Sequence, residues 1–283
     1  MAQRVGAIEA GGTKIVCAVG SGPDDLEEIR FPTGEPESAI TRICEFFDGH
    51  SGLESIGIGT FGPAGVHPDR PETYGRILNT PKPGWQDTDL VTPLADRFGV
   101  PIHFDTDVNV AALGEGKWGA AVGLHSFTYL TIGTGIGGGS VIDGKLVHGT
   151  LHPEVGHLML GRDPLRDPFK GVCPYHGECF EGLASGPAIE ARWSTPAVEL
   201  PPDHEAWELE AHYISLALAN LAYTLSPQQF ILGGGVMEQE QLFPLIREQL
   251  ATVINGYIAV PEVSPPGLGN RAGILGAVAL AQR

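Results

Sequence analysis

The sequence is poor in positive charge. Its 283 residues include 17 lysines and arginines against 34 aspartates and glutamates, which gives a formal net charge of −17 at pH 7. A surface of this sign repels the phosphates of nucleic acids and anionic membranes, and no basic stripe offsets the repulsion. We therefore expect no nucleic acid and no membrane among the partners. Any phosphate site must be local, built from backbone amides and a few cations.

Long apolar runs and cysteines are also scarce. No segment approaches the roughly 18 apolar residues that a membrane-spanning helix needs. The N-terminal segment MAQRVGAIEAGGTK has no apolar core and carries Glu9 early, unlike a signal peptide. Only four cysteines occur, which argues against a disulfide framework in a chain of this length. These absences predict a protein of a reducing compartment, the cytoplasm.

Glycine is abundant, with 40 residues that cluster in short runs beside apolar strands. The order strand, glycine hairpin, strand, helix, strand and glycine turn occurs once before residue 118 and again after it. This repeat predicts two similar α/β lobes with a ligand cleft between them. We expect the N-terminal lobe at 1–118, completed by a C-terminal helix at 272–283. The second lobe is expected at 119–271, with an irregular insert at about 150–182.

The first glycine turn, EAGGTK, is suited to binding phosphate. Gly11 and Gly12 can turn the strand tightly and expose backbone N–H groups. Thr13 adds a hydroxyl and Lys14 a cation, and such a turn can hold phosphate oxygens. A plain hairpin is the alternative.

The second and third glycine turns also indicate a nucleotide. GTGIGGG matches the spacing G-x-G-x-x-G of dinucleotide-binding folds, but that motif requires a helix directly after it. Here SVIDGKLVHG is typical of a strand and a hairpin, so a glycine hairpin around ATP phosphates, with the Thr134 hydroxyl as a donor, fits better. The third turn, LGGGVM, follows a strand, and its glycines allow a flat ligand or a ribose close to the backbone.

Two carboxylates end a strand in the segment HFDTDVN. Asp105 and Asp107 are two positions apart, so in a strand both would face one side. Asp107 stands where the strand meets the next helix. A carboxylate there can accept the proton of a substrate hydroxyl and align its oxygen. The structural alternative is a helix N-cap.

The stretch GVCPYHGECFEG places His176 evenly between Cys173 and Cys179. With His157, 16 residues upstream of Cys173, these residues make a Cys2His2 set of the kind that binds zinc tetrahedrally. Two unpaired thiols are the alternative, and His152 competes with His157 as the fourth ligand.

Taken together, these motifs resemble the ROK family of sugar kinases, and within it the zinc-containing bacterial fructokinases. The segments that carry the resemblance run nearly end to end in the family's order: EAGGTK, IGTFGPAG, LNTPKPGW, DTDVNVAALGEGKWGA, GTGIGGG, HPEVGH, CPYHGECFEGLASGP and ILGGGV. The resemblance implies an α/β fold of two ribonuclease-H-like lobes, as in actin and hexokinase, with an active-site cleft between them. It implies a homodimer that transfers a phosphoryl group from MgATP to D-fructose, giving D-fructose 6-phosphate.

The resemblance also implies roles for residues that match the family's motifs. Asp107 matches the catalytic base, and Glu154 and His157 match the sugar-binding pair. Further sugar contacts are implied at Asn79 and Glu181. The expected nucleotide site comprises Gly11, Gly12, Thr13, Lys14, Thr134, Pro187, Gly233, Gly234, Gly235, Val236 and Met237. The expected structural zinc ligands are His157, Cys173, His176 and Cys179.

Three features depart from the common family pattern. Glu9 replaces an aspartate, which leaves its contact with Mg²⁺ open, and Thr106 stands where glucose-specific members carry asparagine. The zinc run is C-x2-H-x2-C where many members use three cysteines. All three fit the fructokinase branch, with mannose, glucose or an N-acetylhexosamine as alternative substrates.

Two rival functions belong to other classes. A sugar-responsive repressor would need an N-terminal DNA-binding helical module, but the first strand begins by Val5 and the net charge is −17. A metal-dependent hydrolase would use His152, Glu154 and His157 without ATP. Because HPEVGH is not the motif H-E-x-x-H, a metalloprotease is not indicated.

Overall fold

The computed structural model describes residues 3–283, which form two compact units. Unit 1 comprises residues 3–123, Leu146–Pro153 and Gly267–Arg283, and unit 2 comprises Leu124–Lys145 and Glu154–Pro266. The sequence-based division put everything from 119 to 271 in the second lobe. In the structure residues 119–123, Leu146–Pro153 and residues 267–271 instead belong to unit 1. Within residues 3–283 no helix combines the length and the apolar character that crossing a membrane requires.

Ten strands and eight helices are described. In chain order the strands are β1 (Val5–Ala10), β2 (Lys14–Gly20), β3 (Glu27–Pro32), β4 (Ile56–Thr60), β5 (Ile102–Thr106), β6 (Phe127–Ile132), β7 (Ile136–Ile142), β8 (Lys145–Leu146), β9 (Gln229–Gly233) and β10 (Glu262–Ser264). The helices are α1 (Pro36–Asp48), α2 (Thr92–Phe98), α3 (Asp107–Trp118), α4 (Phe180–Ala184), α5 (Gly186–Trp193), α6 (Ala206–Leu225), α7 (Leu242–Ile254) and α8 (Ala272–Ala281).

The two sheets have the same strand order. Unit 1 carries β3-β2-β1-β4-β5, and unit 2 carries β8-β7-β6-β9-β10. In each, the central strand pairs antiparallel with the strand that follows its glycine hairpin and parallel with the next strand along the sheet. The repeat of element order predicted from the sequence is therefore confirmed, as is the α/β class.

Alternation along β1 and β2 divides the core of unit 1 between the two faces of its sheet. Ile8 and Ala10 pack with α1 and α2, whereas Val5 and Ala7 pack with α8. This is the two-residue period of a strand buried on both faces. The predicted C-terminal helix thus covers β1 and β2 on one face of the first sheet.

Helices α3 and α8 touch backbone to backbone. A Cβ atom on Gly276 would lie 1.6 Å from the Val110 carbonyl oxygen, so only glycine permits this approach. Because α3 begins at Asp107, its contact with α8 fixes the position of the candidate catalytic residue.

In unit 2, the long helix α6 packs with α7 beside the sheet. Trp207, Tyr213 and Leu218 of α6 are almost wholly buried, and they share one core with Phe230 of β9. This core supports the glycine turns at the ends of β6 and β9.

Candidate active site

In unit 1, β5 passes directly into α3 at the two predicted carboxylates. The N-cap of α3 is Thr106, whose Oγ1 accepts a hydrogen bond from the Asn109 N–H at 3.3 Å. Asp107 is the first helical residue, and its Oδ1 accepts from the Val108 N–H at 2.9 Å. A negative charge is favoured at this end of a helix. The N-cap role considered for Asp107 therefore belongs to its neighbour, and Asp107 lies half-buried at the carboxyl end of a parallel strand.

The companion carboxylate, Asp105, has a different environment. It is 4% exposed, and its Oδ1 accepts from the Thr106 N–H at 2.8 Å and from Asn109 Nδ2 at 2.6 Å. Its Oδ2 lies 2.9 Å from His148 Nε2. The strand alternation that would put both aspartates on one side ends at Thr106, because Asp107 already has helical geometry.

The first glycine turn joins β1 to β2 as a hairpin. The Gly11 N–H donates to the Lys14 carbonyl at 3.0 Å, and the Thr33 hydroxyl donates to the Gly11 carbonyl at 2.7 Å. Lys82 Nζ donates to the Gly12 carbonyl at 2.6 Å. The exposed tip therefore presents Gly12 and Thr13 next to two lysine side chains.

Glu9 precedes this turn and points at the first turn of α8. Its carboxylate accepts a hydrogen bond from the Ile274 backbone N–H, and burial raises its pKa. A Cβ atom on Gly273 would lie 2.5 Å from the carboxyl carbon of Glu9, so a glycine makes room for it. Glu9 thus caps the N-terminus of α8 from outside the helix, whereas the side chain of the N-cap residue Arg271 makes no capping hydrogen bond.

In unit 2, three predicted nucleotide segments converge. The Gly186 N–H, at the start of α5, donates to the Gly133 carbonyl at 2.7 Å. A Cβ atom on Gly133 would lie 3.5 Å from the Gly235 nitrogen, which places the second and third glycine turns side by side. Gly234 adopts φ +92° there, a conformation that side chains disfavour. Thr134 is exposed at the tip of its turn.

No helix follows GTGIGGG as a dinucleotide fold requires, because strand β7 already begins at Ile136 within this segment. Glu181 lies under this turn, where its Oε2 accepts from the Ile136 N–H at 2.9 Å. The burial of Glu154 raises its pKa to about 7, and the negative charge of Glu181 adds to this effect. Two predicted sugar-binding carboxylates of unit 2 are therefore close enough to repel each other.

The four predicted zinc ligands come together in unit 2. His157 Nδ1 lies 3.5 Å from Cys179 Sγ and 3.8 Å from Cys173 Sγ, and His176 Nδ1 lies 3.7 Å from Cys173 Sγ. One ligand atom from each residue falls within 4.8 Å of all the others. Tetrahedral bonds of about 2.0–2.3 Å put neighbouring ligand atoms roughly 3.3–3.8 Å apart. Two thiols and two imidazoles at these separations fit a zinc ion.

His152 is not part of this group. It belongs to unit 1, where its Nε2 accepts a hydrogen bond from the Ala64 N–H at 3.1 Å. Of the two histidines that the spacing left open, the structure brings His157 to the cysteines.

Comparison with known proteins agrees with this arrangement. A family model described as the ROK family matches residues 5–283. The chain belongs to the ROK family. It is 45% identical to a fructokinase of Pediococcus pentosaceus, over 98% of this chain and 97% of that protein. It is 43% identical to a fructokinase of Zymomonas mobilis subsp. mobilis, over 98% of this chain and 95% of that protein.

Solved structures of ROK proteins share the fold. A ROK hexokinase from Thermus thermophilus superimposes with a TM-score of 0.83 at 30% identity, covering 99% of this chain and 98% of that one. A ROK family glucokinase from Streptomyces griseus, solved in complex with glucose and AMPPNP, gives 0.78 at 26% identity and covers 99% of each chain. The predicted sugar-kinase fold is confirmed.

Asn79 lies exposed in the loop between β4 and α2, beside the buried Thr80. Its sugar contact rests on the family resemblance alone and stays a prediction.

Sequence reasoning missed the residues that surround Asp105 in this ROK protein. His148 and Asn109 bind the Asp105 carboxylate, and the positive charge of Arg283 interacts electrostatically with it. His148 lies 43 residues from Asp105 along the chain, and no spacing motif links the two. Only the return of Leu146–Pro153 to unit 1 brings them together.

Proposed function

We propose that this ROK protein is an ATP-dependent fructokinase, which converts D-fructose to D-fructose 6-phosphate. The observation that carries the proposal is the position of Asp107, a half-buried carboxylate that starts α3 at the carboxyl end of β5 while Thr106 takes the capping role. The substrate is supported by relatives named fructokinases at 45% and 43% identity over almost the whole chain. A kinase for another hexose is the alternative, and the relatives named glucokinases are more distant, at 29% and 28% identity.

Asp107 is proposed as the catalytic base. Its Oδ1 is held by the Val108 N–H, so the carboxylate has a defined direction from which to accept a hydrogen bond from the C6 hydroxyl of fructose. Asp107 aligns that oxygen with the phosphoryl group and takes its proton late in the transfer, when the hydroxyl has become acidic. Positioning of this kind supplies much of the rate in phosphoryl transfer.

MgATP would supply the phosphoryl group and neutralise charge on it. The residues suited to hold the nucleotide in unit 2 are the turn around Thr134, the α5 start at Pro187 and the turn Gly233–Met237. In unit 1 the hairpin Gly11–Lys14 offers a hydroxyl, a lysine and backbone amides. Glu9 is engaged with α8, so we do not assign it a direct bond to Mg²⁺.

Sugar binding is assigned to Asn79, Glu154, His157 and Glu181. His157, Cys173, His176 and Cys179 would hold a structural zinc ion, which orders the insert and takes no part in the transfer. Because His157 Nδ1 faces the two sulfur atoms, its Nε2 is the nitrogen left to face a sugar hydroxyl. The homodimer and the cytoplasmic location stay predictions of the resemblance.

The test is ADP release coupled to a dehydrogenase, with fructose, mannose, glucose and N-acetylhexosamines as substrates and with ATP omitted as a control. We expect activity that requires ATP and is highest with fructose. Asp107→Asn should lower turnover by about 100-fold or more with the fold intact, because the proton acceptor is lost. The matched control is Asp69→Asn at an exposed loop position. A variant at Asp107 that kept more than about a tenth of wild-type turnover would contradict the assignment.

A further inference from the structure

A buried carboxylate stands two residues before the proposed catalytic base. Asp105 is 4% exposed and binds the turn between β5 and α3 through the Thr106 N–H and the Asn109 side chain. An unneutralised charge at this place would disfavour the ionised form of Asp107, because like charges oppose each other most strongly where water is excluded. The turn therefore needs a positive partner for Asp105.

His148 is placed to be that partner. Its Nε2 lies 2.9 Å from Asp105 Oδ2. The hydrogen bond to Asp105 raises the pKa of His148. The imidazole is therefore an N–H donor to the carboxylate and carries its proton to higher pH than an ordinary histidine.

The segment that carries His148 is anchored on both sides of it. Arg70 Nη1 donates to the Thr150 carbonyl at 3.0 Å, and the Ala64 N–H donates to His152 Nε2 at 3.1 Å. The His148 ring also packs edge-on against His67, with centroids 5.8 Å apart. These contacts lie within unit 1 and hold the imidazole in place independently of its bond to Asp105.

Other ionisable groups around the pair are weaker candidates for neutralising Asp105. Burial lowers the pKa of His152 and raises the pKa of Tyr74, which keeps both rings neutral near pH 7. Arg283 is partly buried and adds a positive charge without a hydrogen bond to the carboxylate. The titratable and charged groups that face Asp105 or His148 are His67, Tyr74, His152 and Arg283.

We propose that His148 is a positioning residue for the phosphoryl transfer, whose imidazolium neutralises Asp105 so that Asp107 stays ionised at the start of α3. The inference rests on the proposed function, since it takes Asp107 as the base. His148 lies outside the proposed sugar and nucleotide contacts. The acid limb of the pH–rate profile would then depend on a residue that touches no substrate.

The activity test compares His148→Gln with His148→Ala. Glutamine can keep the hydrogen bond to Asp105 but carries no charge, whereas alanine removes both. We expect the acid limb of kcat/KM for fructose to move up by at least about 0.5 pH unit in both variants, because the charge of Asp105 is no longer offset. Only His148→Ala should also lose kcat at the pH optimum. If the acid limb of His148→Gln coincides with that of the wild type, the inference is wrong.

His50→Gln is the matched control. His50 Nε2 lies 3.2 Å from Glu27 Oε1, so the two form another histidine–carboxylate pair of unit 1, with His50 just after α1 and Glu27 at the start of β3. Its pH profile should match that of the wild type.

A second measurement does not need turnover. In an NMR titration of the wild-type imidazoles, His148 should titrate above the ordinary histidine value, and Asp105→Asn should lower its midpoint. A wild-type midpoint below the ordinary value would overturn the inference even if the protein is an active fructokinase. Conversely, absence of kinase activity would refute the proposed function, while the titration would still decide whether the ion pair exists.

Discussion

Glu210 offers a stability prediction that follows directly from the structure. This carboxyl on α6 is 1% exposed, and within residues 3–283 neither of its oxygens has a hydrogen-bond partner. Burial raises its pKa well above the model-compound value of 4.5, and the charge of Arg192 offsets this only partly. Glu210 should therefore keep its proton to higher pH in the folded protein than in the unfolded chain.

A proton that only the folded state retains makes stability depend on pH. Above the unfolded-state pKa of 4.5 the folded protein binds more protons than the unfolded chain, so the free energy of unfolding falls as pH rises. The slope is about 1.4 kcal/mol per pH unit until Glu210 ionises in the folded state. For a carboxyl that keeps its proton throughout this range, the loss between pH 5 and 7 has an upper limit of about 2.5 kcal/mol.

Glu210→Gln removes this ionisation. We expect its free energy of unfolding, measured by urea denaturation at pH 5, 6 and 7, to rise relative to that of the wild type as pH increases, by up to about 1.4 kcal/mol per pH unit. Taking the difference at each pH cancels the titration of other groups, including the zinc ligands. Glu208→Gln, at an exposed position of the same helix, should give a difference that hardly changes with pH. A constant difference for Glu210→Gln would refute the reasoning, since it would mean that the buried carboxyl is ionised or hydrated.

Two further predictions concern the metal ligands and Glu9. Cys179→Ser, or chelation of the wild type, should remove zinc and thereby weaken fructose binding. The thermal midpoint should fall by about 5 °C, because the insert loses the metal that orders it. Full activity in demonstrably zinc-free protein would disprove the link between zinc and fructose binding. Gly273→Ala should destabilise the protein by about 1 kcal/mol or more, although alanine favours helices, since its Cβ would lie 2.5 Å from the Glu9 carboxyl carbon. In a Glu9→Asp background the same substitution should cost less, and equal thermal shifts in both backgrounds would argue against the contact.

Features encoded by local motifs could be predicted from the sequence. The glycine hairpins, the repeat of element order and the four ligands of the metal group depend on residues close together in the chain, or on residue types with few alternative uses. His157 and His152 stand only five positions apart, so spacing alone could not choose between them. The choice depends on the chain crossing between units at Pro153 and Glu154.

Features that depend on distant pairing could not be predicted. The bond between His148 and Asp105, and the placement of the Glu9 carboxylate against Ile274, each join segments that no periodicity relates. The order of elements along the sequence places Leu146–Pro153 in the second lobe. Its hydrogen bonds with Asp105, Arg70 and Ala64 instead make it part of unit 1.

The packing of α8 also has a consequence for biosynthesis. This helix covers Val5, Ala7 and Val16 of the first sheet, yet it is made after every residue of unit 2. While the chain leaves the ribosome, one apolar face of the N-terminal sheet has no cover, whereas unit 2 is already complete. Domains are usually finished in N-terminal order during synthesis. We expect the reverse here: unit 2 matures first, and the nascent N-terminal segment stays a client of chaperones until α8 emerges.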